Sequence, residues 1–115
     1  MPLMGRTADL SLLPVELAQA VLALGSRIRA ARQARRLRLE DVAEKTGLSR
    51  KTVEAVERGQ LSTSIGAFIA VLGSMSLADT LDLVADPGLD REGLALTFSA
   101  SDKRVRLSGK VDNDF

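Results

Sequence analysis

The amino-acid sequence predicts a mostly helical protein of five helices, with an N-terminal helical extension and a C-terminal β-hairpin. Three observations carry this expectation. Apolar residues recur at spacings of three and four from Leu17 to Val84. Gly and Ser punctuate those stripes at helix-length intervals. After Pro87-Gly88 the period falls to two. At 115 residues the chain has room for one domain with modest tails. The expected division is a flexible arm over 1–13, a helical domain over 14–85 and a tail over 86–115.

Pro14 suits the first turn of a helix, and Leu17, Val21, Leu24, Ile28 and Ala31 continue from it as one stripe. Gly25-Ser26 is expected to kink or split this helix, since Gly costs about 1 kcal/mol against Ala in a helix interior. Leu39, Val42, Ala43 and Thr46 form the apolar side of a short helix, with Glu40 and Asp41 at the positive end of its dipole. Gly47 supplies the positive φ of a sharp turn, Leu48 returns to the core, and Ser49 is a good N-cap for a further helix ending at Gly59. Val53 and Val56 are its buried side; Arg50, Lys51, Glu54 and Ala55 lie opposite. A fourth helix opens among Ser62–Ser64 and is expected to bury Ile65, Phe68, Ile69 and Leu72, with Gly66, Ala70 and Gly73 on another side. Ser76 and Asp79 form a capping box for a fifth, Leu77–Val84. The hairpin is expected over 94–108, as Leu94–Ser99 and Lys103–Ser108, with Leu94, Leu96, Phe98, Val105 and Leu107 on one face.

Charge is concentrated. Residues 27–58 hold ten of the sixteen Lys and Arg but five of the fifteen Asp and Glu, so a basic module sits in an otherwise acidic chain. That is what a phosphate-binding surface requires, although charge runs are more often plain solvated faces. Two short helices locked at a steep angle by a Gly-centred turn tip the balance. They hold the second helix proud of the surface, where it can enter a major groove.

The run RIRAARQARRLRLEDVAEKTGLSRKTVEAVERG, Arg27 to Gly59, resembles the XRE, or lambda-repressor-like, helix–turn–helix domain. Ala43, Gly47, Ser49, Val53, Glu57 and Gly59 stand at the family's spacing, and the likeness extends over about residues 25–84. The resemblance implies a five-helix DNA-binding fold in which Arg50 and Lys51 face base edges. Ala55 takes a further base-contact position with reach only for a thymine methyl, and Glu54 either accepts from a cytosine amino group or orients its neighbours. It further implies an Arg32–Glu57 structural ion pair, with Arg32 at a phosphate as well. Arg38, Ser49, Thr52, Ser62 and Ser64 are the remaining phosphate candidates. The family's usual Thr-Gln at the start of the second helix is replaced by Arg38-Leu39, which exchanges a hydrogen-bonded clamp for a point charge.

Composition argues for a binding protein rather than an enzyme. The chain has no Cys and no His, so thiolate metal sites, disulfides and the commonest general base are excluded. No cofactor and no metal are expected. Three aromatics, all Phe, are too few for the stacking platforms that bind single strands, so duplex DNA is the better partner. No membrane span or signal peptide is expected, and the location is read as cytoplasmic. The function expected is sequence-specific duplex DNA binding by a homodimeric regulator, most simply a repressor. Small proteins of the resembled family also act as antitoxins, including HipB-type antitoxins that bind a toxin protein and repress their own operon. That is the alternative expectation; an adaptor without DNA binding is a third.

Overall fold

The computed structural model describes residues 9–108, with side chains described as far as Ser101. After a 3-10 turn at Leu10–Leu12 come α1 (Val15–Ala34), α2 (Leu39–Thr46), α3 (Arg50–Glu57) and α4 (Ile65–Ser74). A 3-10 stretch follows at Ala78–Leu83, and α5 spans Arg91–Ser108. The chain forms two compact units, divided after Ala78.

In the first unit α3 packs against α1, α2 and α4, and α2 also meets α4. The core between them is Ile28, Val42, Val53, Val56, Ala67, Val71, Leu72 and Met75. Four of these, Val42, Val53, Val56 and Val71, are fully buried. Full burial of one such side chain is worth about 1.5–3 kcal/mol, so α3 is anchored through two valines on its inner side. Packing buries Leu72 as expected but otherwise turns α4 away from the side its sequence suggests. Ala67, Val71, Leu72 and Met75 turn inward, while Ile65 is 73% exposed and Ile69 41%.

Each of the first four helices is closed by a left-handed residue. α2 ends at Gly47 (φ 77°), whose N–H reaches the Ala43 carbonyl at 2.9 Å. α3 ends ahead of Gly59 (φ 66°), with the Gln60 N–H on the Ala55 carbonyl at 3.1 Å. Arg36 and Ser76 take the same role after α1 and α4, at φ 56° and 61°. Their successors close the motif, Leu37 N–H to Arg32 O at 3.2 Å and Leu77 N–H to Leu72 O at 2.8 Å. Ser76 therefore stops α4 instead of capping an α-helix over Leu77–Val84, and a 3-10 stretch at Ala78–Leu83 takes that place. α1 also departs from expectation. It runs through Gly25-Ser26 as one helix, because Gly25 serves a close approach to another segment.

The second unit corrects the fold expected of the tail. No strand occurs among the described residues, and the β-hairpin expected over 94–108 is the helix α5. Asp90 begins it, its carboxylate accepting the Gly93 N–H at 2.9 Å and its carbonyl the Leu94 N–H at 3.0 Å. The three residues between the expected strands, Ala100-Ser101-Asp102, include no Gly for the left-handed position of a three-residue hairpin loop. The helix satisfies its backbone locally and needs no such turn. Leu94, Leu96 and Phe98 remain exposed along it. The expectations for residues 1–8, for the side chains of Val105 and Leu107, and for the tail over 109–115 fall outside the described residues.

Candidate nucleic-acid interface

The α2–turn–α3 unit begins with backbone chemistry. The Thr46 hydroxyl donates to the Val42 carbonyl at 2.8 Å and accepts the Leu48 N–H at 3.2 Å, which fastens the turn to the end of α2. Ser49 then caps α3, its oxygen accepting the Thr52 N–H at 3.1 Å and lying 3.0 Å from the Thr52 hydroxyl. With Val53 and Val56 fixed in the core, the opposite side of α3 must face outward. Lys51 and Arg50 are exposed there; Thr52, Glu54 and Ala55 are half-buried.

Beside this helix runs an open cleft, floored by α3 and walled by the loop into α4. It brings together six residues singled out in the sequence: Ser49, Lys51, Thr52, Ala55, Ser62 and Ser64. Ser64 caps α4 by accepting the Ala67 N–H at 3.1 Å, and Ser62 accepts from the Gln60 amide at 3.2 Å. The cleft also contains Thr63, whose hydroxyl belongs to the same loop as Ser62 and Ser64, and Arg58, which sequence reasoning missed. Arg58 had a readable signal: Lys51, Ala55 and Arg58 stand at i, i+4 and i+7, one side of a helix. Arg58, several hydroxyls and the opening turn of α4 line one concave wall suited to phosphate oxygens, with Lys51 at its edge on α3.

The other candidates are placed differently. Arg50 lies outside the cleft, its Nη1 3.1 Å from Glu40 Oε2 and its Nε 3.6 Å from Glu54 Oε2. Arg38 is exposed at the head of α2 and paired with Asp41 at 3.2 Å. Asp41 also accepts the Arg38 backbone N–H at 2.7 Å, so one carboxylate caps the helix and holds the cation. These hydrogen bonds hold the Asp41 carboxyl below its ordinary value and raise the Arg38 guanidinium above its own.

Arg32, expected at a phosphate as well as in an ion pair, is turned inward. Its Nε and Nη2 reach the two Glu57 oxygens at 2.6 and 3.0 Å, and Nη1 donates to the Leu37 carbonyl at 2.8 Å. Its side chain is 11% exposed and that of Glu57 6%. The hydrogen bond to Glu57 raises the guanidinium above its ordinary value against the opposing effect of burial. This bidentate pair ties the end of α3 to α1 and to the α1–α2 loop.

No group of three or more His, Cys, Asp or Glu among the described residues is arranged to hold a metal ion. No described helix is long and apolar enough to cross a membrane. A comparison with curated proteins finds no match. Residues 23–73, somewhat less than half of the chain, match the family model of a helix-turn-helix domain, from within α1 to the last turn of α4. Over that span the chain is similar to the helix-turn-helix domains of DNA-binding regulators, with α2, the Gly47 turn and α3 as the motif.

Proposed function

We propose that the protein is a sequence-specific duplex DNA-binding regulator, working as a homodimer and most simply as a repressor that occupies a promoter. The observation that carries this reading is the outward side of α3. Lys51, Ala55 and Arg58 follow one another along it, beside a hydroxyl-lined cleft and with Arg50 at its first turn. In the proposed complex α3 lies in the major groove. Arg50 and Lys51 reach base edges, with Ala55 against a thymine methyl and Glu54 beside Arg50. Arg38, Arg58 and the hydroxyls of Ser49, Thr52, Ser62 and Ser64 hold phosphates, with residues 14–85 as the DNA-binding part. One such helix reads only a few base pairs, and two-fold pairing doubles the site over half-sites roughly 34–36 Å apart.

A specific observation keeps a second reading in play. Leu94, Leu96 and Phe98 are exposed on α5, at 38%, 64% and 70%. Such side chains favour a protein contact, with another copy in the regulator reading or with a toxin in the antitoxin reading. Selection from a random duplex pool, followed by footprinting of the enriched sequence, tests the principal reading. Enrichment of a two-fold-related site is the expected result. A pool that stays random at low salt rules out sequence-specific regulation.

A further inference from the structure

Arg50 is the cation nearest the start of α3, yet it is the most heavily neutralised one on that surface. Glu40, in the first turn of α2, holds Nη1 at 3.1 Å, and Glu54, one turn along α3, stands 3.6 Å from Nε. Arg50 and Glu40 are exposed, at 55% and 53%, and the half-buried Glu54 still shows 35% of its side chain to solvent. Exposed pairs of this kind add little stability, so the cluster is not accounted for by what it contributes to folding. Its electrostatic effect is larger. Two carboxylates against one guanidinium make a site that repels a phosphate. A guanine edge carries no charge and presents two acceptors, O6 and N7. A guanidinium has five N–H donors, and these contacts leave Nη2 and a second hydrogen on Nη1 for that edge.

We infer that Glu40 is a positioning residue for specificity: with Glu54 it holds Arg50 in a bidentate orientation toward guanine and denies Arg50 to the phosphate backbone. This rests on the DNA-binding reading above and deepens it by assigning discrimination to α2, outside the groove-facing helix. In the absence of Glu40, Arg50 is free to swing to the nearest phosphate, and any duplex sequence satisfies it. Positive charge is thereby withheld from non-specific DNA at the position where it would otherwise bind most indiscriminately.

The test compares wild type, Glu40→Gln, Arg50→Ala and the double variant on two duplexes, a sequence enriched by the wild-type protein and a random one. Glu40→Gln keeps the length of the side chain and removes its charge. Thermal unfolding of the free protein is expected to be nearly unchanged. Affinity for random duplex is expected to rise, and the ratio of selected to random affinity to fall about tenfold, the scale of one lost base contact. In the Arg50→Ala background the same substitution should shift both duplexes equally, since the residue that Glu40 positions is absent. An equal shift on both duplexes in the wild-type background overturns the inference, reducing Glu40 to general repulsion. That outcome leaves the DNA-binding reading standing. Failure of the wild-type protein to enrich any sequence removes both.

Discussion

Gly25 and Gly59 meet backbone to backbone. A Cβ on Gly25 would lie 2.5 Å from the Glu57 carbonyl oxygen and 2.8 Å from the Gly59 nitrogen; one on Gly59 would lie 2.6 Å from the Leu22 Cα. The middle of α1 thus rests directly on the C-terminal end of α3, and the Arg32–Glu57 pair clamps the same two elements further along α1. Orientation of the exposed side of α3 depends on this contact. Gly25→Ala should destabilise the fold by about 1–3 kcal/mol, because the obstructing atoms are backbone and cannot step aside. Gly59→Ala adds the left-handed penalty of about 1–2 kcal/mol for an L-residue. Gly73→Ala is the control: nothing lies within 4 Å of its Cβ, and relief of helix entropy should stabilise by about 0.5–1 kcal/mol. Urea unfolding of the three variants gives the order.

The Arg32–Glu57 pair predicts a second pattern. Both side chains are largely buried, so removing one strands the other charge, at a cost of about 3–5 kcal/mol. Glu57→Ala should lower the midpoint of thermal unfolding clearly. Joining it to Arg32→Ala should recover part of the loss, since no lone charge then remains. A single-variant effect below ~0.5 kcal/mol would place the pair among exposed ones, against the geometry.

These two relationships show how unevenly the fold is written in the chain. The Glu57 acid beside the Val53/Val56 side, and Gly47 before Ser49, are local signals with one dominant physical use each, and they could be read. Gly25 was ambiguous, because a helical glycine serves equally for a kink or for a close approach, and only the distant Gly59 decides. The tail misled through five residues of alternation. Leu94, Leu96 and Phe98 imitate a strand, while the signal that governs the segment lies upstream in Asp90 as an N-cap and Glu92 in the first turn. On α3, Arg50 and Lys51 were legible as outward cations. The Glu40 contact joins residues ten apart in sequence and arises only from the angle between α2 and α3.

Acid should loosen the head of α2. Asp41 accepts from both the backbone and the guanidinium of Arg38, and its carboxyl lies below the ordinary 3.8. A depressed folded-state value means that the unfolded chain binds the proton more readily, so the contribution is complete above the ordinary carboxylate range. It is lost as pH falls through the folded value. Asp41→Asn should therefore unfold at a lower temperature than wild type at neutral pH, and the two curves should converge below pH 3.8. A gap that stays constant into acid would show that the carboxylate does not supply the cap.

Salt separates phosphate contacts from base contacts. If each dimer neutralises ~6 phosphates, log K should fall against log salt with a slope of about −5, at about −0.9 per contact. Arg58→Ala should weaken selected and random duplexes alike and reduce the slope by about one contact per subunit. Lys51→Ala should cost about 1–3 kcal/mol on the selected site with little change on random DNA, if it is bidentate to guanine. Anisotropy titrations across a salt series measure all three quantities. Equal losses on both duplexes for Lys51→Ala would move specificity to Arg50 or to DNA shape.

Truncation addresses assembly. Every buried core residue of the first unit lies at or before Met75, so deleting residues 91–115 should leave α1 to α4 folded, with helical signal lost in proportion to α5. In the dimeric reading, α5 with its exposed Leu94, Leu96 and Phe98 is the first candidate for joining the two copies. The truncated protein should then sediment as a monomer and bind the selected site far more weakly, since two tethered reading heads gain effective concentration that one lacks. A truncated protein that remains dimeric with full affinity would transfer the contact to the first unit. Exposed Ile65 and Ile69 on α4, or exposed Val15 and Leu17 on α1, would then be the sites to substitute next.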